Sequence, residues 1–281
     1  MDSRINQFNY CIRKQLPVIA LMMCVAASMS CSNEPESSIR SDARDRMAKN
    51  SVHTDHSGFF HKPFADGPSV TRACLKCHED SAQQVMKTSH WNWQGEEVTV
   101  PGHDTPLRIG KRNVINNFCI GIKSNWSACT TCHIGYGWED GSFDFSDQTR
   151  VDCLVCHDTT GTYVKEPTGA GNPSKRVDLV YVAQNVGKPS RYNCGTCHFY
   201  GGGGDAVKHG DLDSSREYPS REIDVHMDTD GNDFTCQECH ETKEHNIPGN
   251  SLGVSLGGKM HFNCENCHTE APHSQARLNK H

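Results

Sequence analysis

The sequence has few large apolar residues, little aromatic content and no excess of positive charge. Hydrophobic residues make up 35% of the 281 residues, aromatic residues 7%, and the mean hydropathy is -0.66. A core made from those side chains alone would be thin. The net charge of -6 argues against nucleic acid as a partner. No long alternation of apolar and polar residues occurs, so we expect strands only as short pairs.

The sequence is instead rich in cysteine and histidine, which form six runs of the pattern Cys-x-x-Cys-His. The runs contain Cys74, Cys77 and His78; Cys129, Cys132 and His133; Cys153, Cys156 and His157; Cys194, Cys197 and His198; Cys236, Cys239 and His240; and Cys264, Cys267 and His268. Two thiols at this spacing can form thioethers with both vinyl groups of one porphyrin, and the histidine can then ligate the iron. Zinc sites and disulfides also use paired cysteines, but neither requires a histidine directly after each pair. The sequence therefore predicts six covalently attached c-type haems.

The motifs also indicate the fold class. Their starts are separated irregularly, by 24 to 55 residues, so they are not one tandem repeat. We expect a mainly α multihaem cytochrome c fold with extensive loops and little β structure, in which the haems fill much of the interior. Helices are predicted at residues 80–89, at 177–186 and around each motif, and loops at 168–173 and 201–204.

Histidines outside the motifs are candidates for the second axial ligand of each iron. There are eleven of them, and six irons need at most six. The better candidates lie near a motif or in a loop that could reach a neighbouring haem: His56, His90, His226, His245, His261 and His273. The sequence pattern does not assign these histidines to particular irons.

The N-terminus predicts export. Residues 1–30 begin with positive charges and continue with an apolar segment too short to span a membrane, which is typical of a signal peptide. Cys31 resembles the acceptor of a bacterial lipoprotein, although Ser28 stands where leucine is usual. Lipid attachment at Cys31 and ordinary secretion both stay open, and both place the mature chain in the periplasm or at the cell surface. Residues 31–55 predict a polar tether, and residues 56–281 the multihaem domain.

Several segments between the motifs are not needed merely to attach haem. They are residues 89–93 (SHWNW), 116–120 (NNFCI), 135–138 (GYGW), 152–158 (DCLVCHD) and 201–211 (GGGGDAVKHGD). Together and in this order, they make the chain resemble the octahaem tetrathionate reductase family of c-type cytochromes from about residue 53 onward. That family carries eight haems and this chain has six motifs, so we expect a fragment or a shortened product.

The resemblance implies an active-site haem with a lysine ligand and with an aspartate and a cysteine beside it. By motif these are Lys208, Asp205 and Cys119, at the haem of the second motif. A lysine can ligate iron only as the neutral amine, and an amine is readily displaced by substrate. Asp205 could share a helical face with Lys208, and the Cys119 thiol could meet a sulfur-containing substrate. Considered singly, each residue also fits an ordinary structural role.

The implied activity is reduction of tetrathionate to two thiosulfates, with nitrite and hydroxylamine as other substrates. Electrons would come from a quinol-linked or small cytochrome donor, and a homodimer stays open. The rival interpretation is a non-catalytic multihaem conduit, lipid-anchored, in which every haem has two histidine ligands. A structural metal-binding module conflicts with the haem signature.

Overall fold

Short helices joined by loops form most of the regular structure. The computed structural model describes residues 53–115, 119–199, 204–205, 212–249, 264–269, 271, 275 and 277, all within the unit Met47–His281. The α-helices of the described residues are Gly67–Cys74, Ser81–Met86, Ser89–Asn92, Trp126–Cys129, Leu154–His157, Leu179–Gln184 and Arg191–His198. Single 3-10 turns are Ile122–Ser124, Thr130–Cys132, Gln148–Arg150, Ser214–Arg216, Cys236–Glu238 and Cys264–Asn266.

The better-defined helices begin at residues that cap the first turn. The Asp66 carboxylate accepts a hydrogen bond from the Ser69 amide at 2.7 Å, and Pro68 follows at the start of the helix. Ser190 and Asn193 form the same reciprocal arrangement before Arg191–His198. Side chains that accept from otherwise unpaired first-turn amides stabilise a helix by about 1 kcal/mol. These two caps fix where the helices that lead into the first motif and contain the fourth begin.

The fifth motif forms only a 3-10 turn. Thr235 precedes Cys236–Glu238, and its hydroxyl donates to the Gln237 side chain at 3.0 Å instead of accepting from a backbone amide. No side-chain hydrogen bond caps the first turn at this motif. The helix expected at each motif is a single 3-10 turn at the fifth motif and also at the sixth.

Two antiparallel pairs contain the strands of the described residues. His53–Asp55 pairs with Asn185–Gly187, with His53 opposite Gly187, and Glu97–Val98 pairs with Leu107–Arg108. The first pair joins the end of the predicted tether to the segment after helix Leu179–Gln184. The prediction of a mainly helical and loop structure with little strand is confirmed.

Two apolar clusters hold the loops together. The first consists of Ala82, Trp91, Trp93, Ile122, Trp138, Phe143 and Val151. The second consists of Val70, Leu154, Val155, Tyr163, Val182 and Ala183. Both clusters border haem-attachment motifs, because Cys129 packs against the first and Cys74 and Cys156 pack against the second.

The predicted loop at 168–173 packs closely on the segment after the second motif. Thr168, Ala170 and Gly171 all adopt left-handed backbone angles. At Gly171 the requirement is absolute, because a Cβ would lie 2.1 Å from the Gly135 carbonyl oxygen. The loop is hydrogen-bonded to the turn that follows the second motif: the Gly137 amide donates to the Ala170 carbonyl oxygen at 2.9 Å.

Candidate functional site: the haem-attachment motifs

Four motif histidines each face a histidine from elsewhere in the chain. The ring-centre separations are 6.4 Å for His78 and His56, 6.2 Å for His157 and His245, 6.0 Å for His198 and His90, and 5.9 Å for His268 and His226. Two imidazoles that share one metal, each bonded at about 2.0–2.1 Å, have ring centres about 6.3 Å apart. The first, third, fourth and sixth motifs therefore have the donor set and the spacing that a haem iron with two histidine ligands requires.

Hydrogen bonds at Nδ1 orient several of these rings. His157 Nδ1 lies 2.8 Å from the Gly187 carbonyl, and His245 Nδ1 lies 2.8 Å from the Gln84 side-chain oxygen. His56 Nδ1 lies 3.2 Å from the backbone carbonyl oxygen of Thr54. A carbonyl partner fixes the proton on Nδ1, and Nε2 is then the nitrogen with a lone pair for iron.

The surroundings keep His90, His157 and His245 in the neutral form that binds metals. Burial, together with the nearby His198 and His240, lowers the pKa of His90 to about 4. Burial likewise lowers the pKa of His157 and of His245. At neutral pH these imidazoles are uncharged, so no proton has to be displaced when iron binds.

The second motif is built differently from these four. His133 is fully buried, and its ring contacts are to aromatic side chains: Trp91, Trp93, Trp138, Phe143 and Phe145. Among the described residues, no histidine ring lies against it. His133 Nε2 lies 2.7 Å from the Trp91 carbonyl, while Nδ1 has no hydrogen-bond partner. Iron ligation through Nε2 therefore requires this ring to exchange the Trp91 carbonyl for the metal.

Two cations stand over the aromatic side chains around His133. Lys111 Nζ lies 4.3 Å from the centre of the Trp93 ring, and the Arg112 guanidinium lies 3.8 Å from the centre of Phe145. Burial, together with the positive charges of Lys165, Arg112 and Lys111, lowers the pKa of His133 to about 3. The acidic chain thus carries local positive charge at its second motif.

Cysteines of different motifs lie close together. The side chain of Cys74 interacts with that of Cys153, Cys132 with Cys197, and Cys194 with Cys236. The attachment points of the first and third, the second and fourth, and the fourth and fifth motifs are therefore adjacent. Among the described residues these cysteines form no disulfide, and no group of three or more metal-binding side chains is present.

The three predicted catalytic residues are only partly described. Lys208 lies outside the described residues, as do His261 and His273 among the predicted ligands. Asp205 is exposed, and its carboxylate accepts from the Ser214 amide at 2.9 Å and from the Ser214 hydroxyl. Cys119 is exposed and has a left-handed backbone with φ of 59°. That conformation is uncommon for a non-glycine residue.

Sequence reasoning missed the residues that hold the ligands in place. Gln84 is 161 positions from His245, and neither residue lies in a pattern that links them. The contact between the Trp91 carbonyl and His133 is made by a main-chain atom, so no side-chain motif could reveal it. The fifth-motif His240 bonds the Pro248 carbonyl through Nδ1 at 2.8 Å, which the sequence also did not predict.

Comparison with known proteins gives three results. No family model matches the chain. An uncharacterized protein of Archaeoglobus fulgidus is 23% identical over 247 residues, covering 70% of this chain and 82% of that protein. The crystal structure of octaheme cytochrome c from Shewanella oneidensis is 57% identical with a TM-score of 0.71, covering 80% of this chain and 50% of that chain. The chain thus spans half the length of that structural relative, and the similarity supports a multihaem cytochrome with covalently bound haem c.

Proposed function

We propose that this multihaem c-type cytochrome is a reductase whose substrate binds at the haem of the second motif. The substrate is tetrathionate, with nitrite and hydroxylamine as the other candidates. The observation that supports this choice is the difference between His133 and four other motif histidines, which each face a second imidazole. A site built without a histidine opposite it can accept another ligand, and Lys208 is the residue that the family resemblance supplies.

The chain would contribute charge and a displaceable ligand. When bound, the haem supplies one-electron chemistry and a coordination position at iron. Lys208 would occupy that position as a neutral amine and leave it when substrate arrives. Lys111 and Arg112 lie at the aromatic cluster around His133 and would attract a dianion such as tetrathionate. Two electrons break the central S–S bond, and two thiosulfates are released.

Contacts between the motifs support delivery of electrons to this site. Cys132 of the second motif lies beside Cys197 of the fourth, and Cys194 of the fourth lies near Cys236 of the fifth. A quinol-linked or small cytochrome donor outside the chain would supply the electrons. In this arrangement the paired-histidine sites carry electrons and the second site uses them.

The test compares the protein with Lys208→Ala and with Lys175→Ala, an exposed lysine that serves as the matched control. Reduced protein mixed with tetrathionate should be reoxidised and yield two thiosulfates per tetrathionate. Lys208→Ala should change the spectrum of one haem and the rate of reoxidation, whereas Lys175→Ala should change neither. If tetrathionate, nitrite and hydroxylamine all leave the reduced protein unchanged, the reductase proposal fails.

The second candidate function is an electron conduit without a catalytic site. The four histidine pairs favour it, because such ligation suits electron transfer and leaves iron no open position. Binding of nitrite or cyanide to one haem of the oxidised protein would exclude this candidate. Lack of binding by any haem, together with an unchanged spectrum in Lys208→Ala, would establish it over the reductase.

The proposed location is outside the cytoplasm, with lipid attachment at Cys31 as an additional feature. Residues 1–52 lie outside the described part of the chain, and no helix within that part is long and apolar enough to cross a membrane. The intact mass of the mature protein would give the number of haems and any acyl chains together. Light scattering of the same sample would decide whether the protein is a homodimer.

A further inference from the structure

A buried ion pair lies between the second and third motifs. The Asp152 side chain has no exposed area and that of Lys165 is 7% exposed, and Lys165 Nζ lies 3.2 Å from Asp152 Oδ2. Asp152 directly precedes Cys153 of the third motif, whereas Lys165 also donates to the main-chain carbonyl of His133 in the second. The positive end of the pair therefore lies at the second motif and the negative end at the third.

Every acceptor position of the carboxylate is used. Besides Lys165, Asp152 accepts from the Tyr136 hydroxyl at 2.9 Å, the Tyr163 hydroxyl at 2.9 Å and the Val155 amide at 3.1 Å. Burial raises the pKa of both tyrosines well above the usual value, and the Asp152 charge raises it further. Both phenols are therefore neutral donors, and Asp152 and Lys165 carry the charges of this cluster.

Stability alone does not account for such a pair. Removing two charges from water costs several kcal/mol per ion, and apolar residues of similar volume often stabilise a buried site as well or better. Lys165 also lines a cavity of about 210 Å³ that Cys132 and Cys197 border, so its ammonium group lies beside attachment points of the second and fourth motifs. Charge at this position acts on whatever is bound there through a medium that screens weakly.

We propose that Lys165 and Asp152 form a fixed dipole that separates the reduction potentials of two haems, raising that of the second motif relative to that of the third. Reduction adds one negative charge to a haem, so a nearby cation favours it and a nearby carboxylate opposes it. The inference rests on the proposed function in requiring haem at both motifs. For a reductase, it would keep electrons on the haem that meets substrate.

The test uses opposite charge changes in the holoprotein: Lys165→Met, Asp152→Asn and the double variant. An EPR-monitored redox titration without substrate follows each haem, and the second and third are identified as the signals that change in His133→Met and His157→Met. Lys165→Met should lower both potentials, the second more, and Asp152→Asn should raise both, the third more. Either change should alter the oxidised-to-reduced ratio of the nearer haem about tenfold, which is about 59 mV for one electron.

The double variant should have the narrowest gap between the two potentials, with their mean close to that of the unchanged protein. Lys175→Met, at an exposed lysine, should leave both potentials unchanged. Shifts in the same direction in both single variants, or no shift, would overturn the inference, because disruption of packing has no charge-dependent sign. Either single variant decides this sign alone if the other does not fold. Intact mass measured first shows whether haem is attached, so a failure of the proposed function is recognised separately.

Discussion

Replacing His90 by alanine should alter one haem, that of the fourth motif. The His90 ring centre lies 6.0 Å from that of His198, and its Nδ1 is buried without a hydrogen-bond partner. Without this ring, the iron held by His198 loses its second axial ligand and becomes five-coordinate or takes water. About one sixth of the low-spin haem signal should then convert to high spin, because one of six motifs is affected.

Added imidazole provides the check on this interpretation. Alanine leaves space where the ring stood, so free imidazole should bind and restore the low-spin signal in the variant. His103→Ala is the matched control, because His103 is an exposed histidine in a turn and forms no ring pair with a motif histidine among the described residues. It should leave all signals unchanged.

The assignment to the fourth motif needs a second variant. His198→Met changes the motif ligand of that haem, and EPR should show the same signal altered in His198→Met and in His90→Ala. If His90→Ala keeps its complete low-spin signal, His90 is not an iron ligand. If a different signal changes, the pairing inferred from the ring separation is wrong.

Two further predictions concern residues outside the ligands. Gln84→Ala removes the side chain that orients His245. Added imidazole should then displace His245 from the third-motif iron at concentrations about 10–100-fold lower than in the unchanged protein, as followed by a spectroscopic titration. Gln83→Ala, at an exposed neighbouring residue, should leave this concentration unchanged. Gly67→Ala should lower the free energy of unfolding by about 1–3 kcal/mol, because its Cβ would lie 2.4 Å from the buried Tyr136 ring. Gly141→Ala, where a Cβ meets nothing within 4 Å, should leave the denaturation midpoint unchanged, and equal loss in both variants would contradict the packing argument.

The fold class could be predicted from the sequence because its cause is local. The motifs fix short helical turns by their own spacing, and residues such as Asp66 and Ser190 mark where helices begin. Predicted helices at 80–89 and 177–186 are present as the shorter Ser81–Met86 and Leu179–Gln184. The predicted helices are too long because the helical hydrogen bonds stop at the C-terminal caps Lys87 and Asn185.

The pairing of distal histidines with motif histidines could not be predicted, because it depends on tertiary packing between loops that are far apart in the sequence. His90 and His198 are 108 positions apart and meet through packing that no local pattern encodes. Of the six predicted distal ligands, His56, His90, His226 and His245 each lie opposite a motif histidine. Their ligation of iron stays a prediction, and so do the roles of Lys208, Asp205 and Cys119.

One helical turn, Ser89–Asn92, serves two centres through consecutive residues. His90 directs its ring at His198, while the next residue, Trp91, offers its carbonyl to His133 and anchors its indole on the Phe145 carbonyl at 3.1 Å. A rigid turn cannot move one of these contacts and leave the other in place. A displacement of His133 from the Trp91 carbonyl would therefore also shift His90 relative to His198. The geometry of the second motif and that of the fourth are coupled through this one turn of backbone.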